Sequence, residues 1–301
     1  MPTLVDHLVR LGGVATRAEL LEFAGAGAIN RALADGSVHR PRRGRYVLPQ
    51  ADESLRVAHE LSGVVGLRSA ALTHGWKVRS VPDRPEVIVP RNRNVRDDSR
   101  SKAVLRRAAL EPHEVQRGVT SPLRTVVDCA RHLPFEEALS VADSALRSGV
   151  LRAPDLAGAA RSAQGAGRAR VVRVLTNANR KAANPFESSL RAIALDVTGL
   201  RVVPQVGVIV AGGARVAPDL VDVALGLVLE ADSHEFHTGR QRLSSDCWRY
   251  DELVLAGWRV LRFTWEQVMF QQVWVRSVLQ RMVALLAAQT HKPGCGDCSH
   301  A

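Results

Sequence analysis

Apolar positions recur at helical spacing in TLVDHLVRL (Leu4, Leu8, Leu11) and stop at Gly12-Gly13, which predicts a short first helix. Thr16 and Glu19 in ATRAELLEFA have the spacing of a capping box, so a second helix is expected to start there. A third fits AINRALADG, residues 28–36, with Gly36 as its stop. The pattern then changes. In SVHRPRRGRYVLP the strand-formers Val38, Tyr46, Val47 and Leu48 flank a turn from Pro41 to Gly44, which predicts a hairpin with a basic tip. Further on, PEVIVPR has the composition of a strand and PFEEALSVADSAL the periodicity of a helix, so residues 51–150 are expected to form a small α/β domain. The basic run PRNRNVRDDSRSKAVLRR crosses between its strands. Residues 151–183, rich in Ala, Gly and Arg, predict a helical linker with a flexible break at Gln164–Gly167.

The C-terminal third has sharper punctuation. In NPFESSLRAIALDV, Asn184 is an N-cap, Pro185 takes the first helical position and Glu187 the third. Phe186, Leu190, Ile193 and Val197 form one apolar face. LRVVPQVGVIV follows as one or two strands, then a turn at Gly212-Gly213, then VAPDLVDVALGLVLEAD. Folded as a hairpin turning near Ala224 and Leu225, this last segment sets Asp222 against Leu227, Val221 against Val228 and Asp219 against Glu230. Asp232 shares the face of Glu230, and Asp222 points to the other. Carboxylates at facing positions repel unless a cation lies between them, and hard oxygen donors suit Mg²⁺ or Mn²⁺. Two readings stand here: a three-carboxylate metal site of Asp219, Glu230 and Asp232, or acids leaving a strand end for solvent. Next, SDCWRYDELVLAGWRVLRFTWEQVM reads as helix, Gly257 stop, strand, helix. Asp246 and Arg249 lie three apart on that helix, and Arg249 and Arg262 either bind DNA phosphate or brace the acids, the second being the preferred reading. Trp248, Trp258 and Trp265 are expected in the core, and Cys247 as a buried, inert thiol.

Charge narrows the partner. The 301 residues carry a formal net charge of +11, almost all from arginine, since lysine occurs only at 77, 102, 181 and 292. A GC-rich genome explains arginine in place of lysine but not the positive excess, so a polyanion, nucleic acid, is the expected partner. Three helices and a basic hairpin are the order of a winged helix, in which the third helix enters the major groove and the hairpin lies along phosphates. Asn30 and Arg31 then belong to the recognition helix, and Arg40, Arg42, Arg43 and Arg45 to the wing. The plainer alternative for RPRRGR is a solvated turn. No apolar run is long enough for a membrane span, and MPTLVDHLVRLGG lacks the apolar segment of a signal peptide. With few cysteines, a cytoplasmic protein is expected. The tail, residues 289–301, holds Cys295 and Cys298 flanked by His291 and His300; the spacing matches no common zinc finger, and a disordered tail is expected.

Two resemblances add to this. The opening, with GLRSAALTHGW and TSPLRTVVDCAR, resembles AbiEi-type antitoxins, the DNA-binding halves of certain phage-defence toxin–antitoxin pairs, over residues 1–150. NPFESSLR, the APD at 217–219, LVLEADSHEFH and SSDCWRYDELVLAGWRVLRFTWEQVM resemble the branch of the PD-(D/E)XK superfamily related to very-short-patch-repair (Vsr) endonucleases. The second resemblance implies that Asp219 is the motif aspartate and Glu230 its (D/E). It also implies that Glu187 is the helix acid, Gln205 the frequent glutamine and His237 the branch histidine. Where the superfamily usually has lysine this chain has Asp232, which leaves water activation to the metal and His237. The architecture implied is α/β and multidomain: a winged helix at 1–50, a middle α/β domain at 51–150, a linker at 151–183, and a nuclease-like domain with a central mixed sheet at 184–288. The activity implied is metal-dependent hydrolysis of DNA phosphodiesters. The alternative is a DNA-binding regulator or antitoxin, with a cognate toxin as partner and a catalytically silent nuclease-like domain.

Overall fold

Short, capped helices and short strands alternate along the chain, giving a mixed α/β structure with several separate sheets. The computed structural model describes residues 3–95, 101–232 and 240–290. Contacts divide the chain into two compact units, residues 1–134 with 148–176, and residues 135–147 with 177–301. Among the described residues no helix is long and apolar enough to cross a membrane.

The first unit opens with α1 (Leu4–Arg10), β1 (Val14–Thr16), α2 (Arg17–Phe23), α3 (Ala26–Ala34), β2 (His39–Arg42) and β3 (Arg45–Val47). The predicted capping box forms at α2, where Thr16 Oγ1 accepts from the Glu19 amide and the Glu19 carboxylate accepts from the Thr16 amide at 2.7 Å. Thr3 and Asp6 make the same box at α1. Strands pair in the order β1-β3-β2, all antiparallel. The hairpin turn is tighter than expected, because β2 continues through Pro41 and only Arg43 and Gly44 remain at the tip. Proline is tolerated there because β2 is an edge strand with a register shift between His39 and Arg42. Gly44, at φ 76°, supplies the left-handed residue of the turn. Leu8, Leu20, Ile29, Val38, Tyr46 and Leu48 close the core beneath.

Residues 51–134 continue with α4 (Glu53–Glu60), β4 (Val64–Val65), α5 (Leu67–Thr73), β5 (Glu86–Val89), β6 (Val104–Arg107), β7 (Val115–Gln116), β8 (Val119–Thr120) and α6 (Pro122–His132). Their strands form a mixed sheet ordered β6-β5-β4-β8-β7. Buried His59 on α4 ties this part to the first sheet, its Nε2 lying 2.8 Å from the Ala15 carbonyl. Burial and the nearby Arg45 push its pKa down to about 4, so it stays neutral. Helix α7 (Phe135–Arg147) leaves this unit for the second, whereas α8 (Ala153–Ser162) and most of α9 (Arg168–Asn177) return to the first. The break expected at Gln164–Gly167 is present, and Arg131 of α6 holds it by donating to the carbonyls of Gln164 and Ala166.

The second unit adds α10 (Pro185–Leu195), β9 (Val203–Pro204), β10 (Val208–Ile209), β11 (Arg215–Val216), β12 (Leu220–Asp222), β13 (Leu227–Asp232), α11 (Arg240–Leu255), β14 (Arg259–Thr264), α12 (Trp265–Phe270) and α13 (Gln272–Thr290). A four-stranded sheet runs β14-β13-β12-β9, with β13 and β14 parallel and the other pairs antiparallel. Helix α11 makes the crossover that a parallel pair requires. One sheet face, with Leu220, Leu227, Leu229 and Phe263, packs on Leu190 and Ile193 of α10 and on Val268, Val275 and Leu279. The other face, with Val221 and Val228, packs on Val208, Val210 and Leu253.

Helix α10 is fastened to α7 by a fully buried ion pair. Asp143 accepts from both Nη2 contacts of Arg191 at 2.7 Å, from the Asn179 amide at 2.7 Å and from Ser188 Oγ at 2.7 Å. Arg191 Nη1 donates to the Asn177 carbonyl at 2.6 Å. Removing one partner of such a pair leaves a buried charge uncompensated, so Arg191→Met is expected to cost about 3–5 kcal/mol in chemical denaturation. Asp143→Asn added to Arg191→Met is expected to recover part of that loss, because the amide oxygen still accepts from Asn179 without a charge.

Candidate metal and phosphodiester site

The hairpin register agrees with the residue-by-residue expectation: Leu220 faces Leu229, Val221 faces Val228 and Asp222 faces Leu227. One step further, Asp219 meets Glu230 beyond the last apolar pair. The Ala231 amide donates to Asp219 Oδ2 at 2.9 Å, and the Asp219 amide approaches Glu230 Oε2 at 3.5 Å. Strand alternation puts both acids on the face of Val221 and Val228, toward α11. Asp222, on the opposite face, accepts from the amides of Arg201 at 2.6 Å and Leu225 at 3.1 Å, a turn-forming role.

Two further residues converge on the pair. Gln205 donates from Nε2 to Asp219 Oδ1 at 3.2 Å. Its backbone is left-handed at φ 52°, an arrangement that costs a non-glycine residue on the order of 1 kcal/mol. The strain coincides with a side chain aimed at the acids, and its amide donates to the Asp219 carbonyl at 3.1 Å. Glu187 arrives from the N-terminus of α10, where Asn184 caps the helix as predicted and accepts from the amides of Phe186 and Glu187. The Glu187 carboxylate accepts from the Ala183 amide at 2.8 Å and from Asn184 Nδ2 at 2.9 Å. Burial first, and then the charge of Asp219, raises its pKa.

Arg249 on α11 answers the negative charge, its Nη2 lying 3.3 Å from Glu230 Oε1. That contact is an ion pair without hydrogen-bond geometry, and Glu230 Oε1 is buried with no hydrogen-bond partner. Burial, followed by the facing Asp219, pushes the Glu230 carboxyl up to about 8. Burial raises Asp219 too, and the Ala231 amide, Glu230, Arg249 and Gln205 offset only part of it. The two carboxyls therefore titrate as a pair that shares a proton in the folded state.

Asp232 departs from the expected three-carboxylate cluster. Its carboxylate is taken by Arg262, the neighbour of Glu230 on β14, and that guanidinium lies over the Tyr250 ring at 4.0 Å. Arg249 Nη2 donates to the Tyr250 hydroxyl at 3.3 Å, so Tyr250 stands between the two arginines. Nothing in the local sequence marked Tyr250 for that position; the signal is its place beside Arg249 on a helix that crosses the sheet. Both arginines brace acids, as expected. Trp248 and Trp265 are not core residues, being 49% and 42% exposed, and Cys247 is exposed as well. Helical spacing explains the first and last of these, because Leu253 turns to the sheet and Cys247 and Trp248 to the outside. His237 and the Cys295–Cys298 tail lie outside the described residues, as does the side chain of Asp246.

The donor set fits a hard divalent cation: Asp219 and Glu230 offer carboxylate oxygens at facing positions, and one of these is buried without a hydrogen bond. Among the described residues no group of three or more His, Cys, Asp and Glu side chains has the arrangement of a metal centre, in keeping with the capture of Asp232 by Arg262.

No family model matches the chain, and no curated protein does. Among solved structures, the RV2827C protein from Mycobacterium tuberculosis is similar at a TM-score of 0.33 and 16% identity, over 67% of this chain and 82% of that one. A TM-score of that size does not establish a shared fold.

The shared proton predicts a pH dependence. Glu230 has a folded pKa near 8 against an ordinary 4.5, so the folded state keeps a proton that the unfolded chain releases. That contribution to stability is complete below 4.5 and is lost as pH rises through 8. In metal-free protein, Glu230→Gln is expected to remove this decline and to raise the melting temperature at pH 8.5 by roughly 5 °C. A wild-type melt that does not fall between pH 5 and 8.5 relative to Glu230→Gln would count against the buried, proton-holding carboxyl.

Proposed function

We propose that the chain is a metal-dependent DNA endonuclease, with residues 1–50 as a winged helix that directs it to DNA. The carrying observation is the facing pair of half-buried Asp219 and buried Glu230 at the end of a hairpin, with Glu187 and Gln205 converging on it. On this reading residues 184–288 are a nuclease-like domain of the Vsr-related PD-(D/E)XK type and residues 51–150 an AbiEi-like middle domain. Asp219 and Glu230 would hold Mg²⁺ or Mn²⁺, and Gln205 would fix the orientation of Asp219. The bound ion would supply charge stabilisation at a phosphate oxygen and acidify water. Glu187 completes the acidic set from the helix side. Arg262, held over Tyr250, contributes positive charge beside the pair. His237 is the residue proposed to take a proton from water.

The element order of the first fifty residues supports the DNA-directing part. Asn30 and Arg31 are exposed on α3, and Arg40, Arg42 and Arg43 are exposed on the hairpin. Arg45 differs: it is half-buried, with Nη1 3.5 Å from His59 Nδ1, so its first role is packing. Replacing Arg40, Arg42 and Arg43 with alanine is expected to weaken DNA binding about tenfold or more at moderate salt and to flatten its salt dependence. The loss should be similar for all sequences, because phosphate contacts carry no base identity. Arg45→Ala is expected to lower the melting temperature instead.

A second reading, a DNA-binding regulator or antitoxin with a silent nuclease-like domain, is favoured by one observation. Arg249 already neutralises the oxygen of Glu230 that a cation would need. The decisive measurement is plasmid cleavage with Mg²⁺ or Mn²⁺, and with EDTA as control. Cleavage that Asp219→Asn abolishes without weakening DNA binding supports the endonuclease. Binding of DNA with no cleavage of any form, and no Mn²⁺-dependent rise in the wild-type melt, supports the regulator.

A further inference from the structure

We propose that two adjoining cavities in the first unit bind a phosphorylated small molecule carrying a flat ring, of the nucleoside monophosphate class. The site shares no residue with the acidic pair or the basic hairpin, so it stands or falls apart from the proposed activity. One cavity, of about 770 Å³, lies along β6 and is lined by Arg84, Arg106 and Arg107. The other, of about 950 Å³, opens between α6 and α8, where Leu123, Val127, Gly158, Ala159 and Ala163 make an apolar wall and charged side chains, Arg91, Arg124, Arg131, Glu114 and Asp155 among them, line the rest. They meet at Arg107, Asp128 and His132. Guanidinium groups joined to one apolar wall are what a ligand with one phosphate and one ring requires, and each volume is within the range of small-molecule sites, roughly 300–1,000 Å³.

The internal pairing of charges decides the sign of the site. Arg124 is engaged by Glu114 at 2.8 Å and by Asp128 at 2.8 Å, so it offsets one of those two charges where they stand. Asp155 accepts from the Arg152 amide at 2.8 Å and lies within 3.6 Å of its guanidinium. Arg131 is occupied by the carbonyls of Gln164 and Ala166. Among the described residues, what remains is positive. Arg106 Nε is buried and has no hydrogen-bond partner among the described residues. Among the described residues Arg84 has one hydrogen bond, to the Ser101 carbonyl at 3.1 Å, and Arg107 binds only carbonyls. His132, where the cavities meet, is pushed down to about 4 by burial and then by Arg106, Arg131, Arg170 and Arg124. A neutral imidazole in that setting can donate to an anion without adding to the repulsion among the arginines.

Adenosine monophosphate, inorganic phosphate and adenosine are the probes, titrated calorimetrically into the full chain. The monophosphate is expected to bind at least tenfold more tightly than either fragment, because each fragment fills one half. Arg106→Gln is expected to weaken the monophosphate roughly tenfold, the loss of one charged hydrogen bond, and to leave adenosine unchanged. Gly158→Leu blocks the apolar wall: a Cβ there meets nothing nearer than Arg161 Nη2 at 4.0 Å, so α8 can carry the side chain. It is expected to abolish monophosphate binding with an unchanged melt. The two substitutions lie on different elements, so misfolding of one leaves the other as the test. Absence of monophosphate binding to the wild type overturns the proposal, as does binding that neither substitution alters. A short DNA duplex bound through Arg106, with no binding of the monophosphate, also overturns it and assigns the arginines to a nucleic-acid backbone.

Discussion

The buried pair of Asp143 and Arg191 is the constraint on which the second unit is built. It joins a helix that precedes the apparent linker to the helix that opens the C-terminal fold. Every oxygen of Asp143 has a donor, and Ser188 and Asn179 complete the set. Paired charges this deep gain little net stability over apolar residues, but they tolerate few alternative packings. Fixing α10 through Arg191 fixes its first turn, only a few residues away, and with it the position of Glu187. The helix acid of the proposed site is therefore placed by a contact on another helix. The Arg147 guanidinium, which donates to the Ala182 carbonyl just before the Asn184 cap, holds the same entry from the α7 side.

The second constraint is register. A hairpin has a period of two, so once Val221 faces Val228 the acids two positions outward fall opposite each other and on one face. This part was legible in the chain, as were the caps at Thr16 and Asn184, because both depend on residues within four positions of one another. Arg249 and Arg262 were only half legible. Their charges were visible, but which acid each meets depends on how α11 crosses the sheet. Asp232 shows the limit most clearly. Alternation places it with Glu230, yet its parallel neighbour strand carries Arg262, and a long guanidinium at a strand end reaches the more exposed acid. The left-handed backbone of Gln205 had no local signal, since glycine or asparagine is the residue expected at φ > 0. The placement of α7 was hidden for a similar reason: its apolar face is ordinary, and only the buried Asp143 ties it to residues some fifty positions later.

Arginine is used in two physically different ways, and the net charge alone does not separate them. Arg131, Arg147 and Arg191 spend hydrogen bonds on backbone carbonyls or a buried carboxylate. These guanidiniums are structural cross-links, and they are poorly placed for a polyanion. Arg40, Arg42 and Arg43 project from an edge hairpin whose tip is held by Gly44 rather than by side-chain packing. Arg45 belongs with the first class although it follows them directly in sequence, because its strand turns it toward His59. One basic motif is thus divided between arginines exposed on β2 and the turn and one arginine packed at the start of β3.

The same competition reaches its sharpest form at Glu230. Three positive species can satisfy its carboxylate: the proton it holds up to about 8, the Arg249 guanidinium, and a divalent cation. The proton and the cation exclude each other on the facing oxygens, so cation affinity must rise with pH until the shared proton is gone. Arginine keeps its charge throughout that range, so it competes with the cation at every pH, and its withdrawal depends on conformation alone. Tyr250 bears on that choice, because its hydroxyl accepts from Arg249 while its ring carries Arg262. A small rotation of Arg249 toward Tyr250 would free Glu230 without leaving the guanidinium unpartnered. On the proposed reading, the difference between an active site and a silent one then lies in a single side chain, and the acids themselves are the same in both.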